Sequence, residues 1–245
     1  MDLKESRGDV VRRHPWESSR LSFFKNVLGN YGSKQVSTIL DIGSGDAFFA
    51  QEIHKAFFPK AKLICFDLNY TEEKRYGLIQ FTKTRPSERF DLFLMMDVLE
   101  HAERDEEFLE EIVKKNSKGT SLFLISVPAW QKLYTLHDKK LGHFRRYSFN
   151  QFEKLLNEAG LEVVLSGGLF HGLLLPRLMT KIQEKKLGES HSPLTKDLGE
   201  WKGGYCLTRF LECLLYLDNT FSLLMAKAGI KIPGLSVWCL ARRKS

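Results

Sequence analysis

Two stretches concentrate the side chains able to do chemistry. The first is Asp41-Ile-Gly-Ser-Gly-Asp46, a carboxylate two residues ahead of the first of two glycines. Glycines so placed permit a sharp turn and a close approach of ligand to backbone. Thr38 to Ile42 before them is a short apolar run, which predicts a buried strand, and the pattern after Asp46 is helical through Phe57. Strand, glycine turn and helix N-terminus together form a nucleotide-type pocket. Asp41 sits where a ligand amine or hydroxyl could meet it. Asp67, closing Leu63-Ile-Cys-Phe-Asp67, sits where a carboxylate would take both hydroxyls of a ribose. The third glycine of the dinucleotide fingerprint is absent, its place taken by Phe48.

The second stretch runs from Ala129 to Tyr147, too long for an ordinary connection and biased to positive charge. It holds imidazoles near neutral pKa, guanidinium forks suited to an anionic group, and a phenol. His143, after Gly142, is the best candidate for a general base and His137 the runner-up. Tyr147 would orient an acceptor or a cofactor carboxylate, and Arg145 and Arg146 would bind the acceptor. The alternative is structural: the two arginines pair with acids such as Asp138 or Glu100, and His143 is a hydrogen-bonding strut.

Asp-x-Gly-x-Gly followed by a strand-end acid resembles the class I S-adenosylmethionine-dependent methyltransferases. Asp97-Val-Leu-Glu-His101 after an apolar strand, and Asp138-x-x-x-Gly-His-x-Arg-Arg-Tyr147, resemble their small-molecule branch, which includes the ubiquinone methyltransferases. The resemblance implies S-adenosylmethionine as cofactor, cradled by Asp41, Gly43, Ser44, Gly45 and Asp46, with Asp67 on the ribose and Leu68 against the adenine. Asp97 and Val98 would line the methionine end, with His101 opening toward substrate unless it merely caps the next helix. His-Pro-Trp-Glu followed by Arg resembles an N-terminal segment of a bacterial branch. There Trp16 would pack over the cofactor and Arg20 meet its carboxylate, although Trp16 could equally anchor a helix to the core. Ala47 stands where many members carry a further glycine, a change expected to cost little. Thr82-Lys-Thr84 stands where many carry an acid, so no adenine contact is assigned to it.

The elements that must position these groups follow from periodicity. The chain has 245 residues, 43% of them hydrophobic, which fits one domain with an elaboration. A net charge of +7 is mild: it allows an anionic substrate or weak attraction to membrane or nucleic acid, and is met most simply by a basic solvated surface. Cys65, Cys206, Cys213 and Cys239 make no close pair, so neither metal site nor disulfide framework is expected, and a cytoplasmic setting fits. No signal peptide or membrane span is expected. The expected fold is α/β: a Rossmann-like, seven-stranded, mainly parallel sheet with an antiparallel last strand, an N-terminal helix and a late helical insert. Tyr76 to Phe81 is read as its third strand. Residues 1–37 form the cap, 38–167 with 234–245 the core, and 168–233 the insert.

The function expected is methyl transfer to a small or lipid-like acceptor, oxygen slightly favoured. The alternatives are an inert cofactor-binding regulatory or scaffold protein and, more weakly, an NAD-linked oxidoreductase. No nucleic-acid partner is expected. The insert, apolar and then basic over Leu169 to Leu187, leaves a weak peripheral membrane contact and a homodimer open, packing on the domain or another subunit being preferred.

Overall fold

Near-continuous burial along the short apolar runs gives strands covered on both faces, by two helical layers. The computed structural model describes residues 13–32, 35–187, 201 and 203–244. Parts of the expected cap and insert therefore lie outside the described residues. β1 (Thr38–Ile42) lies mid-sheet, parallel to β2 (Lys62–Phe66) on one side and β5 (Phe90–Met96) on the other. With β3 (Lys74–Tyr76), β4 (Ile79–Thr82), β6 (Ser117–Pro128), β7 (Leu161–Leu169) and β8 (Ser236–Arg243), the sheet order is β3-β4-β2-β1-β5-β6-β8-β7. β8 is antiparallel to both its neighbours. The chain reverses its direction of travel across the sheet between β1 and β5, so the crevice beyond their carboxyl ends is where ligands bind in open α/β sheets.

The sheet has eight strands rather than seven. The run read as one strand, Tyr76 to Phe81, breaks at Gly77, whose φ of +59° turns the chain into an antiparallel hairpin of β3 and β4.

α3 (Asp105–Asn116) and α5 (Phe149–Glu158) cover one face of the sheet, packing Leu109, Ile112, Phe152 and Leu156 onto Phe93 and Ile125. On the other face α1 (Pro15–Tyr31), α2 (Phe48–Phe57) and α7 (Tyr205–Lys227) bring Phe24, Ile53 and Leu223 onto Leu63 and Leu94. Phe23 and Phe24 meet Trp238 of β8 with ring centroids 5.0 and 6.0 Å apart. Proline at the first position of α1 suits a helix start, where its missing N–H costs nothing. Ser148 and Gln151 form a reciprocal cap at the start of α5. α4 (Leu136–Leu141) and α6 (Leu174–Leu187) lie over the ligand edge. No helix among the described residues is long and apolar enough to cross a membrane.

Candidate active site

The turn after β1 is built by backbone conformations that suit glycine. Gly43 and Gly45 have φ of +65° and +54°. A Cβ on Gly43 would lie 2.8 Å from Cγ2 of Val98, so the loop after β5 packs where a side chain would be. Ala47 also takes a left-handed φ, +57°. That conformation costs an alanine roughly 1–2 kcal/mol. Its methyl is fully buried, which returns about 0.8 kcal/mol, so burial offsets only part of the strain and alanine here is not on an unstrained backbone.

The groups implied to hold the cofactor converge. The amides of Gly43 and Ser44 donate to the Phe66 carbonyl at 2.8 and 3.2 Å. Asp67 accepts from the Gly45 amide at 2.9 Å and from Asn69 at 2.8 Å, which fixes its carboxylate at the end of β2. Leu68 beside it is 79% exposed, open to a flat ligand face. The Ser44 hydroxyl meets Tyr70 Oη at 2.8 Å, a contact across 26 residues of chain that no local pattern signals. Asp41 is buried, and burial, aided by Asp67 and Asp46, pushes its carboxyl up to about 8 against the opposing charge of Arg20.

α1 closes this site from above. Arg20, buried, pairs with Asp97 and lies 4.6 Å over the Trp16 ring. Arg13 pairs with Asp46 and covers the Phe48 ring at 4.1 Å. The cavity left between α1 and the glycine turn, bordered by Glu17, Arg20, Asp41 and Asp46, is about 30 Å³, roughly the share of one liquid water. Trp16 meets Phe170 edge-on at 6.3 Å, so it also anchors the helix.

The second stretch folds into a 3-10 turn (Gln131–Leu133), α4, and an extended return whose Tyr147 bridges to Ala129. Asp138, wholly buried, is its hub. It accepts from the Thr135 amide at 2.8 Å, Arg146 Nε at 2.8 Å, His143 Nδ1 at 3.0 Å, and Arg177 of α6. Burial works against the Asp138 charge, but the His143 hydrogen bond and the two guanidinium groups win and hold the carboxyl well below its ordinary range. The loop docks on the segment after β5: the Phe144 amide donates to the Glu100 carbonyl at 2.7 Å, and Arg145 pairs with Asp105. That contact sets the His101 ring edge-on to His143 at 4.6 Å. Glu100 joins them, the polar atoms of the three side chains lying within 4.8 Å of one another. Among the described residues neither carboxyl oxygen of Glu100 has a hydrogen-bond partner in another residue. Burial, with Asp97 nearby, raises the Glu100 carboxyl well above its usual range.

A methyltransferase-domain family model matches residues 13–166. The chain belongs to that family. It is a class I methyltransferase that uses S-adenosylmethionine. Solved structures share the fold. One is provisionally described as a sarcosine dimethylglycine methyltransferase from Galdieria sulphuraria, at 14% identity over 92% of this chain and 84% of that one, TM-score 0.55. Another is the plantazolicin methyltransferase BpumL with a monoazolic desmethylPZN analog and SAH, at 15% over 94% and 85%, TM-score 0.52. A third is a SAM-dependent methyltransferase from Archaeoglobus fulgidus, at 18% over 91% and 94%, TM-score 0.51. No curated protein matches the chain by sequence.

Several expectations for this methyltransferase need correction. Tyr147 is 4% exposed and its hydroxyl donates to Asp105 at 2.7 Å; burial, then that carboxylate, raises its pKa far up, so it is a core strut rather than a catalytic group. Arg145 and Arg146 spend their guanidinium groups on Asp105, Asp138 and the Ala129 carbonyl, so they hold the loop instead of binding an anionic acceptor. Burial, followed by the charge of Arg177, lowers His137 to about 4, which makes it a weak base. His101 ends a 3-10 turn, while the cap position of α3 belongs to Arg104, so it is not a helix cap. Asp138 is more than the pairing acid expected, and Arg13, Tyr70 and Arg177 carry contacts with no signal in the local sequence. Thr135-x-x-Asp138 is a capping-box pattern that could have fixed Asp138 in place. Nothing local pointed to Arg177, 39 residues from Asp138 along the chain.

Proposed function

We propose that this methyltransferase acts on an uncharged small-molecule or lipid-like acceptor, most readily at oxygen, with His143 as general base and Asp138 as its positioning group. The hydrogen bond from His143 Nδ1 to the buried Asp138 carboxylate carries the reading. That carboxylate, ionised and already surrounded by donors, fixes the tautomer with the proton on Nδ1. Nε2 then keeps its lone pair for an acceptor hydroxyl. Bound S-adenosylmethionine would supply an electrophilic methyl group to the acceptor oxygen and leave as S-adenosylhomocysteine. The hydroxyl proton passes to His143 Nε2. In-line positioning supplies much of the acceleration, on the order of 7–11 kcal/mol where geometry is favourable.

The acceptor class follows from what surrounds the base. The arginines that could have bound an anion are internally paired. Phe144, 52% exposed, and Leu175, Leu178 and Met179 of α6 present apolar surface, and α6 is tied to the loop by Arg177 to Asp138 and Lys181 to the Tyr134 carbonyl. Glu100, its carboxyl raised well above the ordinary range by burial and by Asp97, lies buried beside the two histidines.

The test is turnover of a panel of phenols, alcohols, amines and carboxylates with labelled S-adenosylmethionine. His143→Ala should lower turnover on the accepted compound by about 100-fold or more while leaving S-adenosylhomocysteine affinity unchanged. Wild-type turnover in that variant would remove His143 from the chemistry.

A further inference from the structure

α7 wears its apolar face outward. Toward the domain, where it packs on α1 and β7, it turns Thr208, Asn219, Ser222, Leu223 and Ala226. Asn219 accepts from the Phe170 amide at 2.9 Å and Ser222 donates to the Gly168 carbonyl, so this inner side is fastened by polar contacts. On the outer side Leu207, Phe210, Leu214, Leu217, Phe221 and Leu224 are each exposed, from 47% at Leu214 to 60% at Phe210. Their spacing is 3, 4, 3, 4, 3. This alternation is the seam that one helix offers to another in a left-handed pair.

The order of residue types along the seam reads the same from either end: Leu, Phe, Leu, Leu, Phe, Leu. We propose that α7 is a homodimer interface in which two copies pair antiparallel about a twofold axis between Leu214 and Leu217. Laid so, Leu207 meets the partner's Leu224, Phe210 meets the partner's Phe221, and Leu214 meets the partner's Leu217. A twofold contact is self-complementary by construction, and here every layer opposes like with like in size.

Charge agrees with this occupant. The four charged residues of α7 lie off the seam; Arg209 is bonded to Glu212 at 2.8 Å and Asp218 to His171 at 3.0 Å, so closing the seam apposes no like charges. Area agrees too. A large apolar side chain carries on the order of 200 Å², so six half-exposed ones on each copy would bury roughly 1,200 Å², the lower bound of stable interfaces. A membrane is the poorer partner: interfacial helices carry a wide apolar face bordered by lysine and arginine, whereas α7 has only the internally paired Arg209 and, at its last residue, Lys227. The inference is independent of the methyl-transfer chemistry.

Sedimentation velocity on the full chain should show a concentration-dependent dimer. Leu214→Glu with Leu217→Glu should give monomers with unchanged circular dichroism, since both side chains face solvent in the single chain. A register test uses a Cys206→Ser/Cys213→Ser background. There Leu214→Cys and Leu217→Cys proteins should each fail to cross-link alone and should form a disulfide-linked dimer when mixed, because only the antiparallel pairing brings position 214 opposite position 217. The proposal is overturned by a monomer at every concentration, whether or not it floats with anionic vesicles. It is equally overturned by a dimer that survives the paired glutamates, or by cross-linking of either cysteine variant with itself.

Discussion

Asp41 makes cofactor affinity a function of pH. Its carboxyl is buried at the end of β1, and burial, with Asp67 and Asp46 close by, raises it to about 8. In the unfolded chain it titrates near 3.9. A carboxyl raised on folding contributes stability that is complete below the unfolded value and is lost as pH rises through the folded one. A gap of about four pH units makes this roughly 5 kcal/mol between about pH 4 and pH 8. Asp41 sits where a ligand amine or hydroxyl could meet it; with the α-ammonium of S-adenosylmethionine as that group, the ionised carboxylate is favoured. Binding must then expel the Asp41 proton, and each pH unit below the free-site value weakens binding tenfold. Between pH 5 and pH 7 the ligand amine, with a reference pKa near 8, stays protonated, so affinity should climb about 100-fold, or roughly 2.7 kcal/mol. Isothermal titration calorimetry with S-adenosylhomocysteine, in two buffers of different ionisation enthalpy, reads the affinity and the protons released. Wild type should release close to one proton at pH 6. Asp41→Asn should release none, bind with flat pH dependence over this range, and match wild type at pH 5. A flat affinity and no proton release in wild type would refute the assigned ammonium contact or the protonated buried carboxyl.

Other expectations follow from the same contacts. Gly43→Ala meets both the φ of +65° and the 2.8 Å approach of Val98; it should cost on the order of 2–3 kcal/mol in chemical denaturation, and adding Val98→Ala should restore only the steric part. Asp67→Ala should reduce the thermal shift given by S-adenosylhomocysteine, while NAD should shift neither protein; stabilisation by NAD would contradict the cofactor assignment. Asp138→Asn leaves Arg146 and Arg177 without their buried carboxylate and should cost about 3–5 kcal/mol. Because that carboxyl is depressed in the fold, its contribution is present above the ordinary carboxylate range and lost as pH falls through the folded value, so the variant should show a flatter acid limb in a pH series of melting temperatures.

The sequence by itself determined the frame. Apolar runs bounded by glycine and charge placed β1 and α2 within a residue or two, because a buried strand or an amphipathic helix is written in nearest-neighbour periodicity. The turn at Gly43 and Gly45 and the carboxylate of Asp67 were likewise legible, since backbone sterics and chain order fix them. Only the tertiary structure decided which side chains are free. Arg145, Arg146, Tyr147 and His143 form one short run with one apparent purpose, yet three are consumed by Asp105 and Asp138 and one is left with an open ring nitrogen. Asp138 draws Arg177 from 39 residues away, and Asp97 draws Arg20 from 77. Ion pairing is chosen by through-space distance and burial, which no local pattern encodes. The seam of α7 shows the converse: its spacing is visible in the chain, but that it faces solvent rather than the core depends on where Asn219 and Ser222 find their partners.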